Sequence, residues 1–282
     1  MEKELFSTLS VHTWRWLGVN EAYLPEELQT PSTPVHKIQI NVPAGQNVTR
    51  VIANRTEQRT EITAHVAEGG TLQLAQMQLL PPDKAGACSV AVTAEKDAQV
   101  YYTAAEIGAS RALAQVKINL AGDGSKADIA ALYFGDGTRS IDLNYVITQA
   151  GKKTEASMQV RGALQDSAAK IFRGTLDFKA GSKGSTGREK EEVVLLNEGI
   201  RNRSVSLMLS VEEDVNGQHA VSAGRLDESK LFYLMSRGLD EKEAKKLVVG
   251  ALFATVLERV PDAELSEEIS REVEERIKHG QC

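Results

Sequence analysis

The sequence predicts a mainly β protein, one long region of short strands held between two helical segments. Apolar residues recur with period two through most of the chain, as in strands that turn one face to a core. Clusters of Gly, Asp, Ser and Lys punctuate that alternation at short intervals. Beyond about residue 227 the apolar spacing lengthens to the three-and-four rhythm of an amphipathic helix.

Residues 1–37 form the first unit. Leu5, Leu9 and Trp16 can share one helical face, and Gly18 follows as a stop. The tryptophans of "TWRWLGVN" are expected to be packing anchors. The polar, twice-proline "LQTPSTPVHK" is expected to be a linker. Residues 38–226 form the second unit. "TLQLAQMQLL", "AQVKINL", "SIDLNYVIT", "MQVRGAL" and "GTLDFKA" alternate as strands, separated by Gly69-Gly70, "AGDGS", "FGDGT" and "QAGKK". A sandwich, a barrel and a solenoid all fit such a series. The abundance of small residues leans toward stacked solenoid coils, although no fixed-period repeat is visible. Within this unit, "FKAGSKGSTGREKEEV" is expected to be a mobile surface loop.

Residues 227–282 form the third unit. Asp227 is a suitable N-cap and Gly238 a stop for a first helix. Asp240 and Glu243 have the spacing of a capping box for a second helix, with Ala244, Leu247, Val248, Ala251 and Leu252 on one face and Pro261 beyond its end. Ser266 can cap a third helix striped by Ile269, Val273 and Ile277. That last helix is heavily charged, and is expected to be a solvated end or a partner-docking surface.

Of 282 residues, 41% are hydrophobic but only 5% aromatic, which points to a core of small and β-branched side chains. A net charge of −6 argues against nucleic acid as a partner. The longest apolar run, "LVVGALFATVL", has 11 residues, too few to span a bilayer. The acidic N-terminus has no apolar signal region, and Cys88 and Cys282 make neither a disulfide framework nor a CxxC site, so a cytoplasmic location is expected.

Enzyme constellations are hard to assemble. His12, His36, His65, His219 and His279 show no metal-binding spacing, and no G-x-S-x-G or G-x-G-x-x-G element occurs on a strand-turn-helix. "GSKGST" fails as a phosphate loop, because Gly184 follows Lys183 and the residues beyond read as strand. Cys88, in "GACSVAV", reads as a small buried hydrophobe. His219 stands out by context, in a strand-and-turn stretch just ahead of an apolar helix and soon after Glu212, Glu213 and Asp214. Nearby carboxylates would favour its imidazolium form or share a metal with its neutral form. A histidine in a turn is nonetheless more often structural than ligating.

The stretch "GQHAVSAGRLDESKLFYLMSRGLDEKEAKKLVVGALF" resembles the closing segment of the SufB/SufD family of iron–sulfur cluster assembly proteins. The matching motifs are His219-Ala220, Gly224-Arg225-Leu226-Asp227 and Leu231 to Gly238. Upstream, "QVRGALQDSAAKIFRGTLDFKAGSKGSTGREKEEVVLLNEG" is similar to the family's strand region. The resemblance implies a right-handed parallel β-helix and a non-enzymatic scaffold. It implies a SufC-like ABC ATPase docked on the C-terminal helices, around Leu231, Phe232, Leu247 and Phe253. It implies a SufB-like or identical subunit bound through the β-helix. His219 matches the histidine that, in the SufD branch, helps hold a transient iron–sulfur cluster at the subunit interface, with none expected in the isolated chain. The SufB branch carries a cysteine near the position of Ile200, and many relatives have a histidine where Gln149 stands, so the chain looks SufD-like. Two other readings stand beside this one, a β-solenoid carbohydrate-active enzyme and a purely structural interaction module.

Overall fold

The computed structural model describes residues 3–29, 33–226 and 228–279. Asp227, Cys282 and the middle of the proline-containing linker lie outside these residues. A short antiparallel pair, β1 (Leu5–Thr8) and β2 (Glu21–Tyr23), precedes fourteen longer strands. These are β3 (Val35–Val42), β4 (Asn47–Asn54), β5 (Arg59–Val66), β6 (Thr71–Gln78), β7 (Ala85–Ala94), β8 (Gln99–Glu106) and β9 (Arg111–Leu120), then β10 (Lys126–Gly135), β11 (Ser140–Gln149), β12 (Glu155–Leu164), β13 (Ala169–Phe178), β14 (Ser185–Leu195), β15 (Arg201–Ser210) and β16 (Val215–Arg225). Three helices close the chain, α1 (Glu228–Ser236), α2 (Glu241–Leu257) and α3 (Ala263–His279).

Odd-numbered strands from β3 to β15 form one seven-stranded sheet and even-numbered strands from β4 to β16 the other. Each strand pairs in parallel with the strand two further on, so the chain winds as a two-sheet parallel β-solenoid. The coil length explains why no period shows in the sequence. Val35 lies opposite Arg59, a coil of 24 residues, whereas Ala169 lies opposite Arg201, a coil of 32. The added residues enter at the turns, so the strands stay in register while the repeat drifts.

Within the solenoid, apolar and aromatic side chains from successive coils stack, as with Val90, Val116 and Tyr145, or Val92, Ile118 and Ile147. Each fully buried Val, Leu or Ile contributes about 1.5–3 kcal/mol. The second half of the even sheet is also apolar on its outer face. Met77, Ala105, Leu132 and Phe134 are buried there beneath Val249, Phe253, Ile269 and Val273. Strict alternation therefore fails in this half, because both faces are covered.

The N-terminal unit differs from the helical expectation. Its described residues form the β1–β2 pair and two 3-10 turns, Arg15–Leu17 and Glu26–Leu28. Leu9 is buried, but Leu5 and Trp16 are exposed. The segment is a strap over the odd sheet, and outward side chains of that sheet take up its backbone carbonyls. Asn144 donates to Thr8 O at 3.2 Å, Arg203 to Leu17 O at 2.9 Å and Arg59 to Leu28 O at 3.1 Å. Arg173 donates to Val19 O and Glu21 O. These tertiary bonds replace the local ones of a helix. Ala22, Leu24 and Leu28 pack on Ala85, Ala87 and Leu113. The tryptophans are not packing anchors: Trp14 is 71% and Trp16 77% exposed.

The expected loop "FKAGSKGSTGREKEEV" is mostly strand, since β13 runs to Phe178 and β14 begins at Ser185. Ser185, Gly187, Glu189, Glu191 and Val193 face inward, while Thr186, Arg188 and Lys190 face out. The period of two was present but carried by polar residues on both faces.

Among the helices, Asp240 forms the capping box, accepting from Glu243 N at 2.8 Å while Glu243 accepts from Asp240 N at 2.9 Å. The buried face of α2 is Ala244, Val249, Phe253, Val256 and Leu257, so Leu247 points outward. Asp262, not Ser266, caps α3, accepting from Leu265 N at 3.0 Å. That helix keeps its charged face in solvent but is not a free end. Ile269, Val273 and Ile277 are buried, and Arg276 reaches Asp136 at 2.5 Å and Ile107 O at 2.5 Å with its guanidinium over the Phe134 ring.

Candidate functional site

His219 belongs to a strand, not a turn. It lies in β16, the last strand of the even sheet, with its Cα opposite Glu189 of β14. Residues in register on neighbouring strands project to the same face. Since Glu189 and Glu191 face the interior, His219 faces it too, at the end where no further strand stacks. The lack of a following coil leaves it exposed.

Directly beneath lies a buried ionic cluster that inspection of the sequence missed. Lys170 and Glu191, both with fully buried side chains, meet at 2.5 Å. Lys170 also donates to Ser204 Oγ at 2.9 Å and Arg203 O at 3.2 Å, and Tyr133 Oη donates to Glu191 at 3.0 Å. Ser206 Oγ donates to Glu189 at 2.8 Å. Gly174 makes room for that carboxylate, since a Cβ there would overlap Glu189 Oε1. The Oε2 atoms of Glu189 and Glu191 have no hydrogen-bond partner. Burial pushes the Glu189 carboxyl up to about 7, with the neighbouring Glu191 charge adding to the effect. Burial lowers the Lys170 ammonium against the opposing pull of Glu191.

Deeper inside, Glu106 is buried with both oxygens unpaired, and burial pushes it up to about 8. Cys88 is a buried thiol, as the sequence suggests, and burial followed by the Glu106 charge pushes it upward. It is held far from the thiolate form that a nucleophile or ligand needs. Gln149 is buried with neither amide atom bonded.

Two of the three acids that precede His219 in sequence are engaged elsewhere. Glu212 accepts from Gly181 N at 3.1 Å and Asp214 pairs with Lys183 at 3.8 Å. His65 pairs with Glu95 and His12 with Thr8, on other parts of the surface. Among the described residues no three His, Cys, Asp or Glu side chains are grouped to hold a metal ion. The Gly184 turn leads into a strand and offers no helix N-terminus for phosphate.

A second surface lies on the helices. Phe232, Tyr233 and Met235 of α1 and Leu247 of α2 are exposed, with Phe232 at 74%. A groove of about 470 Å³ runs between α2 and the end of the even sheet, lined by Val194, Ser222, Arg225, Val248 and Leu252. Phe253, grouped with Leu247 on sequence grounds, is 2% exposed and belongs to the core. None of the described helices is long and apolar enough to cross a membrane.

The family model of the SUF system FeS cluster assembly SufBD core domain matches residues 29–252. The chain belongs to the SufBD family. The iron-sulfur cluster assembly protein SufD of Bacillus subtilis (strain 168) is 31% identical over 160 residues, covering 57% of this chain and 37% of that protein. The iron-sulfur cluster assembly SufBD family protein Rv1462 of Mycobacterium tuberculosis (strain ATCC 25618 / H37Rv) is 26% identical over 190 residues, covering 64% of this chain and 48% of its own length. The chain thus spans about half or less of the length of these SufBD relatives, and within the family it is SufD-like.

Proposed function

We propose that this chain is a non-enzymatic, SufD-like scaffold subunit of a cytoplasmic SUF-type assembly complex. Its units, residues 1–37, 38–226 and 227–282, supply a strap, a solenoid core and a docking end. It works with a SufC-like ABC ATPase, and its solenoid pairs with a SufB-like or identical subunit. The observation that carries the reading is the position of His219, inward-facing on a terminal strand whose outer edge is unpaired. A free strand edge is a template for another chain. A partner there covers His219, and its side chains complete a ligand set that is not found among the described residues of this chain. The iron–sulfur cluster is cargo, carried transiently between subunits. Neutral imidazole is a competent iron ligand in such clusters.

In a complex co-expressed with a SufB-like chain, His219→Ala is expected to leave assembly intact and lower the visible cluster absorbance after anaerobic reconstitution. Unchanged cluster content would make His219 structural and the chain a scaffold without metal chemistry. For the ATPase, the exposed face of α1 is the expected seat. Phe232→Asp is expected to abolish co-purification with the ATPase while circular dichroism stays unchanged, and retention of the ATPase would remove the idea. A polysaccharide-cleaving reading has no comparable support. Glu106, Glu189 and Glu191, which have the perturbed or paired character of acid–base groups, lie inside the solenoid and not along a groove.

A further inference from the structure

The two buried acids near the end of the solenoid are not equally served. Glu191 is matched by Lys170 and Tyr133. Glu189, two residues earlier on the same inward face, is 3% exposed. Among the described residues it has one hydrogen bond, from Ser206 Oγ to its Oε1, and its Oε2 has no partner. The place for this carboxylate is built in. Gly174, in register with Ser206, has no side chain there, and a Cβ would come within 2.2 Å of Oε1. A carboxylate taken out of water with one oxygen unmet is costly, so the position calls for a second donor.

The donor in reach is His219. Its Cα lies opposite that of Glu189 on the adjoining strand, about 4.8 Å away at the usual strand spacing. Across the core, facing strands run in opposite senses, since Gly187 meets Leu176 and Glu189 meets the Gly174 position. On the last coil Gly217 meets Met208. Two residues on, His219 therefore stands over Ser206 and the carboxylate that Ser206 holds. The imidazole is exposed on its other side, with room to turn. We infer that Glu189 is a positioning residue for His219: its free Oε2 accepts the inner ring N–H, which fixes the tautomer and leaves the outer ring nitrogen bare toward the cargo. This rests on the reading of His219 as a cluster ligand. A neutral imidazole has one proton to place, and the nitrogen that binds iron must be without it. A carboxylate on the inner nitrogen holds that proton away from the iron and makes the ligand more basic.

The full chain carrying isotope-labelled histidine tests the contact by magnetic resonance without any cluster. At mildly alkaline pH, where imidazole is neutral, the parent is expected to show a His219 ring N–H proton that exchanges slowly with water, assigned by its loss in His219→Ala. Glu189→Met keeps the volume and removes both the acceptor and a buried charge, so the fold is expected to hold by circular dichroism while that signal disappears. Glu189→Gln, whose carbonyl oxygen can accept the same N–H while its amide turns to Ser206, is expected to retain it. In the complex co-expressed with a SufB-like chain, Glu189→Met is expected to speed loss of the reconstituted cluster to a ferrous-iron chelator by about tenfold, the scale of removing the partner of a metal-bound histidine. The double variant Glu189→Met with His219→Ala is expected to match His219→Ala alone, because Glu189 acts through the ring. A ring proton absent from the parent, or one that survives Glu189→Met, overturns the inference. So does cluster loss at the parent rate in Glu189→Met when His219→Ala lowers cluster content. If His219→Ala leaves cluster content unchanged, the ligand reading is what fails, and the ring proton still decides whether the contact exists.

Discussion

Lys170→Met is expected to destabilise the chain by about 3–5 kcal/mol, the usual loss when one member of a buried ion pair is removed. Among the described residues Lys170 is the sole cation bonded to Glu191, and both side chains are wholly excluded from water. Without it the Glu191 carboxylate keeps only the Tyr133 hydroxyl, with its Oε2 already unpaired. Ser204 Oγ and Arg203 O lose their donor as well, loosening the junction between the last two coils of the odd sheet. The loss is one of unbalanced charge more than of packing, because Met fills most of the lysine volume. Glu191→Gln on the Lys170→Met background is therefore expected to recover most of the stability, since an amide costs far less to bury than a carboxylate. Denaturant midpoints of parent, single and double variants measure this. A single variant within about 1 kcal/mol of the parent, or a double no better than the single, would show that the pair is screened by water the structure does not imply.

How far the sequence can be read follows from what each residue type signals. Alternating apolar residues announce β6, β9, β11, β12 and β13, because apolar side chains at period two have one common destination. The capping box at Asp240 was equally plain, as its two hydrogen bonds are local. β14 reads as a loop in the sequence because its inward positions include Gly and Glu, whose burial depends on Lys170, Tyr133 and Ser206, which are 17 or more residues away in the chain. The strap reads as a helix in the sequence because Leu5, Leu9 and Trp16 have helical spacing. What decides its form is the row of Asn144, Arg173 and Arg203 beneath it, more than 130 residues downstream. His219 is marked in the sequence by its place just ahead of an apolar helix and by its family motif. Its inward direction needs the register with Glu189, which no local pattern encodes.

The stability of the chain is expected to fall by up to about 4 kcal/mol between pH 4.5 and 8 through Glu106 alone, a shift of some three and a half units at about 1.36 kcal/mol each, discounted for relaxation. Below the ordinary carboxyl value of 4.5 this group is neutral in both folded and unfolded chains and contributes no slope. As pH rises, the unfolded chain releases the proton while burial holds it on the folded one. The folded state then binds more protons than the unfolded state, and stability drops until the folded carboxyl ionises near 8. Above that value the slope from this group ends. Glu189 adds a fall of the same sign that ends near 7. Glu106→Gln removes the first contribution and leaves the second. Gln cannot satisfy the site better than a neutral carboxyl, so any packing offset is independent of pH and cancels in the slope. The measurement is the difference in unfolding free energy between Glu106→Gln and parent at pH 4.5, 6, 7 and 8.5, in which the remaining carboxylates cancel. The variant is expected to gain steadily on the parent across this series. A difference that stays flat would mean that Glu106 ionises at its ordinary value, reached by water or a cation inside the solenoid.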